Sequence, residues 1–294
     1  MKIIFFFVFF LNIFIANCDV IKEYKSTNIH TVLIRNIEND LLDPIIQLHS
    51  NDVLKLSFDE LGNNITNYVY SFVHCDSEWR ESDLLPTEYI DGFTENYIDN
   101  FSFSFNTIID YVHYECLFPN ENVNFLLSGN YILLVQNESS REVILKRKII
   151  VYENIVQIKT SIKKATFAHE IESKQEIDFE IFHSNIDVKN AINEIKIVIQ
   201  QNDNWQTIKK NIKPTFIKKN SLEYNYDNEI NFTGGNEFRD FNISSLRFFS
   251  KNIDTIYTTI NNIYNNPIYV VKLKKDHNRS NKPYFERYDL NGKL

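Results

Sequence analysis

The stretch FVHCDSEWRESDLLPTEYIDGF, residues 72–93, sets a histidine and a cysteine beside the carboxylates of Asp76, Glu78, Glu81, Asp83, Glu88 and Asp91. Two kinds of chemistry use such residues. His74 and Cys75 are transition-metal ligand types, and a pair of carboxylates about 5 to 10 Å apart is the machinery of glycoside hydrolysis. A strand over Tyr68 to Cys75 would send Tyr68, Tyr70, Phe72 and His74 to one face and Val69, Ser71, Val73 and Cys75 to the other. His74 and Cys75 then diverge, whereas metal ligands must converge at about 2 to 2.3 Å. No CxxC or HxxxH completes a shell, so the expectation is no metal and no cofactor. The carboxylates, in a chain of net charge −8, read as solvated surface.

Other catalytic patterns are missing from the sequence. TGGNEFRDF (233–241) lacks the GxxxxGK[ST] order of a phosphate cradle, and Gly234-Gly235 predicts a turn into a strand from Glu237. There is no GxSxG elbow. The sequence therefore predicts a protein that is not an enzyme and has no catalytic residue. What 72–93 carries in excess is apolar surface: Trp79, Leu84, Leu85, Pro86, Tyr89, Ile90 and Phe93. Such a loop packs on its own domain or on a partner.

The elements that must position this loop are strands. IHTVLIR (29–35), IIQLHS (45–50), VLKLSFDEL (53–61), NYVYSFVHC (67–75), FSFSFNT (101–107), YVHYECLF (111–118), NYILLVQN (130–137) and VILKRKIIVYE (143–153) are short, β-branched or aromatic, and separated by Asn, Asp, Gly and Pro. That predicts an antiparallel sandwich. SGNYILLVQ also resembles the tyrosine corner of immunoglobulin-like sandwiches. A second set follows at 156–163, 175–183, 194–202, 221–227, 237–243 and 246–252. The fold class expected is all-β: two consecutive immunoglobulin/fibronectin-like β-sandwich domains, 19–153 and 154–258, and the start of a truncated C-terminal β region, 259–294. Asn291-Gly292 signals a hairpin whose return strand does not follow.

Met1, Lys2 and an apolar run from Ile3 to Ala16, broken by Asn12, read as a signal peptide over 1–18. Asn17 stands where acylation of Cys18 would ask for Gly, Ala or Ser. After processing, Cys75 and Cys116 remain, and they read as two thiols packed like small hydrophobes. Thirty-one Lys and Arg against thirty-nine Asp and Glu, a net charge of −8, argue against a nucleic-acid surface. The chain is expected outside the cytoplasm, with no direct membrane span and no small-molecule substrate.

HCDSEWRESDLLPTEYIDGFTEN, FSFSFNT, YVHYECLFPNEN, LSGNYILLV and GGNEFRDFNISSLR together resemble, in order, the signature stretches of the type IX secretion system Plug proteins. Thr233 departs from the Pro usual in that family, and the C-terminal portion of longer members is missing. The resemblance implies a periplasmic subunit, peripheral at the inner face of the outer membrane. Its implied partner is the giant outer-membrane translocon barrel, whose periplasmic end it closes when idle. The residues expected to bind that partner are Trp79, Arg80, Tyr89 and Phe93 in the first domain and Asn236, Glu237 and Arg239 in the second. Trp, Tyr and Arg are the types that carry interface energy when desolvated. The alternative reading is a secreted carbohydrate- or peptide-binding β-sandwich module without catalytic activity.

Overall fold

The computed structural model describes residues 20–39, 43–171, 173–202, 204–233, 241–247, 249–260 and 267–275. The signal-peptide residues, Gly234-Gly235 and the Asn291-Gly292 turn lie outside them. The chain divides into two compact units, Met1–Asn154 and Ile155–Leu294.

In the first unit the strands are β1 (Tyr24–Lys25), β2 (Ile29–Asn36), β3 (Ile45–Gln47), β4 (Leu54–Leu61) and β5 (Tyr68–Cys75). A single helical turn, α1 (Pro86–Tyr89), comes next. Then follow β6 (Ile90–Gly92), β7 (Glu95–Tyr97), β8 (Asn100–Phe103), β9 (Tyr111–Phe118), β10 (Val123–Phe125), β11 (Gly129–Asn137) and β12 (Val143–Tyr152). One sheet has the order β1-β12-β11-β5-β7, with β3 parallel to β12, and the other has the order β2-β4-β9-β8. The unit is an all-β sandwich.

Alternation builds its core. Tyr68, Tyr70 and Phe72 from β5, Tyr131, Leu133 and Val135 from β11, Leu54, Leu56 and Phe58 from β4, and Val112, Tyr114 and Phe118 from β9 all point between the sheets. The aromatics interlock: Phe58 stacks on Tyr114 at 5.2 Å, and Tyr68 meets both rings edge-on at 5.5 and 5.1 Å. Buried phenols need partners, and Tyr114 has one, because its hydroxyl accepts the Thr66 N–H at 2.8 Å. The Tyr131 hydroxyl donates to Leu127 O at 2.7 Å, four residues upstream, which is the bond of a tyrosine corner.

The second unit contains β13 (Gln157–Lys164), β14 (Lys174–Phe182), α2 (Ala191–Glu194), β15 (Val198–Gln201), β16 (Asn204–Lys210), β17 (Phe216–Ile217), β18 (Ser221–Tyr224), β19 (Asn231–Thr233), β20 (Ile253–Ile260) and β21 (Pro267–Leu273). The main sheet runs β13-β14-β18-β17, with β19 beside β14; β15-β16 and β20-β21 are hairpins. Its buried cluster is Phe179, Ile181, Leu222, Tyr224 and Ile230.

Here the structure departs from the expected strands. β16 was not anticipated, because Asn204, Gln206, Lys209 and Lys210 dilute its apolar alternation. The described residues of 241–252 form no strand, and β20 begins at Ile253. The position near Thr259 expected to open a third region lies inside β20, which pairs along its length with β21.

Candidate partner-binding surface

Residues 76–93 leave the end of β5 and run through α1 into β6, which pairs with β10 in a separate two-stranded sheet. Asp76 organises the first turn: its Oδ1 accepts the N–H of Glu78 and of Arg80 at 2.8 and 3.0 Å, and its Oδ2 takes the Arg80 guanidinium at 2.9 and 2.7 Å. Burial alone would raise the Asp76 carboxyl, but these hydrogen bonds and the Arg80 charge outweigh it and hold its pKa below the ordinary value. The turn places Trp79 at φ 64°, in the left-handed region. Trp79 is only 7 % exposed, and Lys148 of β12 lies 4.5 Å above its ring. Lys148 opposes Ile132 on the face of the sheet turned away from the core, so the indole roofs that outer face.

The second turn is α1. Pro86 opens it and the Glu88 carboxylate accepts the Leu85 N–H at 2.7 Å. Tyr89 is 4 % exposed and donates its hydroxyl to Phe72 O at 3.2 Å. Beyond it, Gly92 has φ +99°, and a Cβ there would lie 2.2 Å from the Asn122 carbonyl oxygen. Only glycine fits that approach.

His74 sits where this loop meets the core. Its Nδ1 is 2.9 Å from the Ser82 hydroxyl, and its ring meets Tyr131 edge-on at 5.1 Å. A Cβ at Gly129 would fall 2.4 Å from its Nε2. Cys75 is buried and Cys116 is half-buried, on strands of opposite sheets, and both are thiols. Burial, with Glu115 adding to it, pushes the Cys116 thiol up to about 12. Among the described residues no three His, Cys, Asp or Glu side chains group as a metal site would require, and no helix is long and apolar enough to cross a membrane.

Of the residues expected to bind a partner, Trp79 is buried against the outer face of the sheet and Tyr89 in the core. Arg80 is exposed but tied to Asp76, and Phe93 is 65 % exposed. Asn236, Glu237 and Arg239 lie outside the described residues. The structure also assembles a row that the sequence does not display: Asp59, His113 and Ser102 are direct cross-strand neighbours on β4, β9 and β8. His113 Nδ1 meets Asp59 at 2.7 Å, but its Nε2 faces Glu115 at 3.9 Å. The row lies on the polar outer face of the sheet, so it lacks both the nucleophile contact and the enclosed pocket of a hydrolase triad.

A larger feature lies on β8, which the sequence predicts as a strand. β8 and the loop after it expose Phe101, Phe103, Phe105, Ile108 and Ile109, with Phe105 93 % accessible. The FSFSF alternation was legible. That its apolar face would remain uncovered was not, because this depends on where the opposite sheet ends.

The molecule is thus an aromatic-cored antiparallel sandwich followed by a smaller β unit, with apolar surface at one sheet edge. Residues 29–153 match the family model described as type 9 secretion system plug protein 1st domain. That match spans most of the first unit. Among solved structures, the chain is similar to a hypothetical protein from Parabacteroides merdae, with TM-score 0.76 and 28 % identity over 88 % of this chain and 68 % of that one. No curated protein matches it.

Proposed function

We propose that this protein is a plug subunit of the type 9 secretion system: a non-catalytic periplasmic protein, exported by its N-terminal segment, that binds the periplasmic end of the outer-membrane translocon barrel and closes it when idle. The observation that carries the reading is the plug-domain match over 29–153, which coincides with the densely packed first unit. A stopper must resist deformation across a wide opening, and an interlocked aromatic core is suited to that. The acidic, mixed-charge composition and the capped, hydrogen-bonded 76–93 loop are compatible with a surface that binds rather than reacts.

Deleting the protein tests the reading. A wide lumen without its stopper would admit large antibiotics normally excluded by the outer membrane, so sensitivity should rise. The rise should vanish when the barrel is deleted too. The same leak in cells without the barrel would contradict the plug function.

A further inference from the structure

We propose that β8 is a docking edge for an extended apolar segment of another polypeptide that carries a lysine or arginine at one end. Three features of the first unit converge on that occupant.

The backbone of β8 is open on one side. It closes the sheet order β2-β4-β9-β8, and among the described residues nothing pairs with it beyond β9. Ser104 donates its N–H to Tyr111 O at 2.9 Å and accepts the Tyr111 N–H on its hydroxyl at 3.0 Å. In the antiparallel alternation Ser102 and Asn100 therefore aim their backbone groups at β9, and Phe101 and Phe103 aim theirs outward.

The side chains on the core side of β8 are aromatic and uncovered. Phe101 and Phe103 oppose Tyr114 and Val112, both core residues, so they extend the core face past the rim of the opposite sheet. They remain 38 % and 54 % exposed. Two other edges are protected in the usual ways. β2, at the far end of the same sheet, breaks with a bulge between His30 and Leu33, and β13 carries Lys159, Lys163 and Lys164. β8 reads NFSF and is followed by another Ser-Phe pair, with no charge and no proline. An added strand would satisfy the open donors and acceptors and cover the rings together.

Charge selects the occupant. Asp99 precedes the strand and Asp110 ends the loop after it. Where β8 begins, the edge of β9 is bare and a cavity of about 370 Å³ opens, lined by Asp99, Glu115, Tyr70 and Tyr97, with Lys55 near Glu115 at 3.7 Å. Two carboxylates and two phenols against one ammonium suit a cationic side chain. The same acidity disfavours a second copy of this chain, whose edge would bring like charges.

That the segment belongs to the translocon rests on the function proposed above; the docking mode does not. Two synthetic peptides test the mode on the purified chain, one alternating valine with lysine and the other valine with glutamate. The lysine peptide should slow amide exchange at Phe101 and Phe103 by about tenfold or more, and the glutamate peptide should not. Phe103→Pro removes an outward N–H without touching the β9 ladder, and Phe105→Ser removes a solvent-facing ring. Both should fold as the parent does and lose the protection. Equal binding of the two peptides, protection elsewhere only, or a photo-cross-link from position 105 to a second copy overturns the proposal. If the barrel co-purifies equally with the parent and with Phe103→Pro, the edge assignment fails and the plug function stands. If the lysine peptide docks but the barrel is never captured, the edge stands and the plug function fails.

Discussion

Among the described residues the first unit joins twenty-three buried apolar residues in one cluster, from Ile29 to Val151, whereas the second joins five. The two hold their strands by different means. In the first, rings interlock across the sandwich: Phe72 meets Phe125 at 4.9 Å and Phe125 meets Tyr131 at 4.8 Å. In the second, one stacked pair, Phe179 on Tyr224 at 4.4 Å, is supplemented by polar links. Glu176 of β14 is fully buried and accepts from Thr166 N at 2.9 Å, Thr166 Oγ1 at 3.1 Å and Lys163 Nζ at 3.0 Å. Glu180 binds Lys218 and Ser221, each at 2.8 Å. Dense apolar packing fixes shape, while sparse packing leaves strands whose arrangement depends on a few charged contacts.

The comparison sharpens first in the core. Tyr114→Ala should cost about 3–5 kcal/mol, because the Phe58 and Tyr68 rings around it cannot collapse into the space. Phe179→Ala should cost less, since half-buried neighbours such as Ile177 and Tyr226 can move in. Chemical unfolding of the two variants measures the difference, and an equal loss would break the contrast. Trp79→Ala comes next, at about 2–4 kcal/mol, because the indole roofs the outer face of the sheet. An unchanged melting temperature would show that the indole contributes no packing there.

Glu176→Gln probes the polar unit and should cost about 1–3 kcal/mol at neutral pH. Burial pushes the Glu176 carboxyl up, but Thr166 and Lys163 more than reverse this and hold its pKa below the ordinary 4.5. With the folded value the lower one, its contribution is complete above about pH 4.5 and is lost as pH falls through the folded value. The parent should therefore lose stability in acid more steeply than Glu176→Gln, and parallel acid profiles would contradict the assignment. Arg80→Ala should have the smallest effect, about 0.2–1 kcal/mol, as an exposed ion pair.

The same contrast explains what the sequence made legible. In the first unit alternation is strong, and the strands at 29–35, 67–75, 111–118 and 143–153 were expected within a residue or two of β2, β5, β9 and β12. There the core is large enough that facing inward decides each residue's identity. In the second unit lysines and asparagines interrupt the pattern, and EFRDFNI and LRFFSKN look like strands by composition although the described residues 241–252 form none. At the surface the limit was different. Trp79 and Tyr89 are residue types suited to interfaces, but the outer sheet face under Trp79 and the Phe72 carbonyl beside Tyr89 come from distant strands that local spacing cannot reveal. The exposure of the Phe101 to Phe105 edge is hidden from the sequence for the converse reason, since residues that look like core are left uncovered.

The measurement closest to the central claim is capture of the barrel by this protein. A tagged copy is purified from envelopes of cells in which export is idle and of cells in which the barrel is loaded with substrate, and the bound proteins are identified by mass. A stopper binds the empty channel better than the occupied one. The account predicts that the translocon barrel co-purifies and is enriched in the idle state. Recovery of the protein without the barrel, or with equal amounts of idle and loaded barrel, would contradict it.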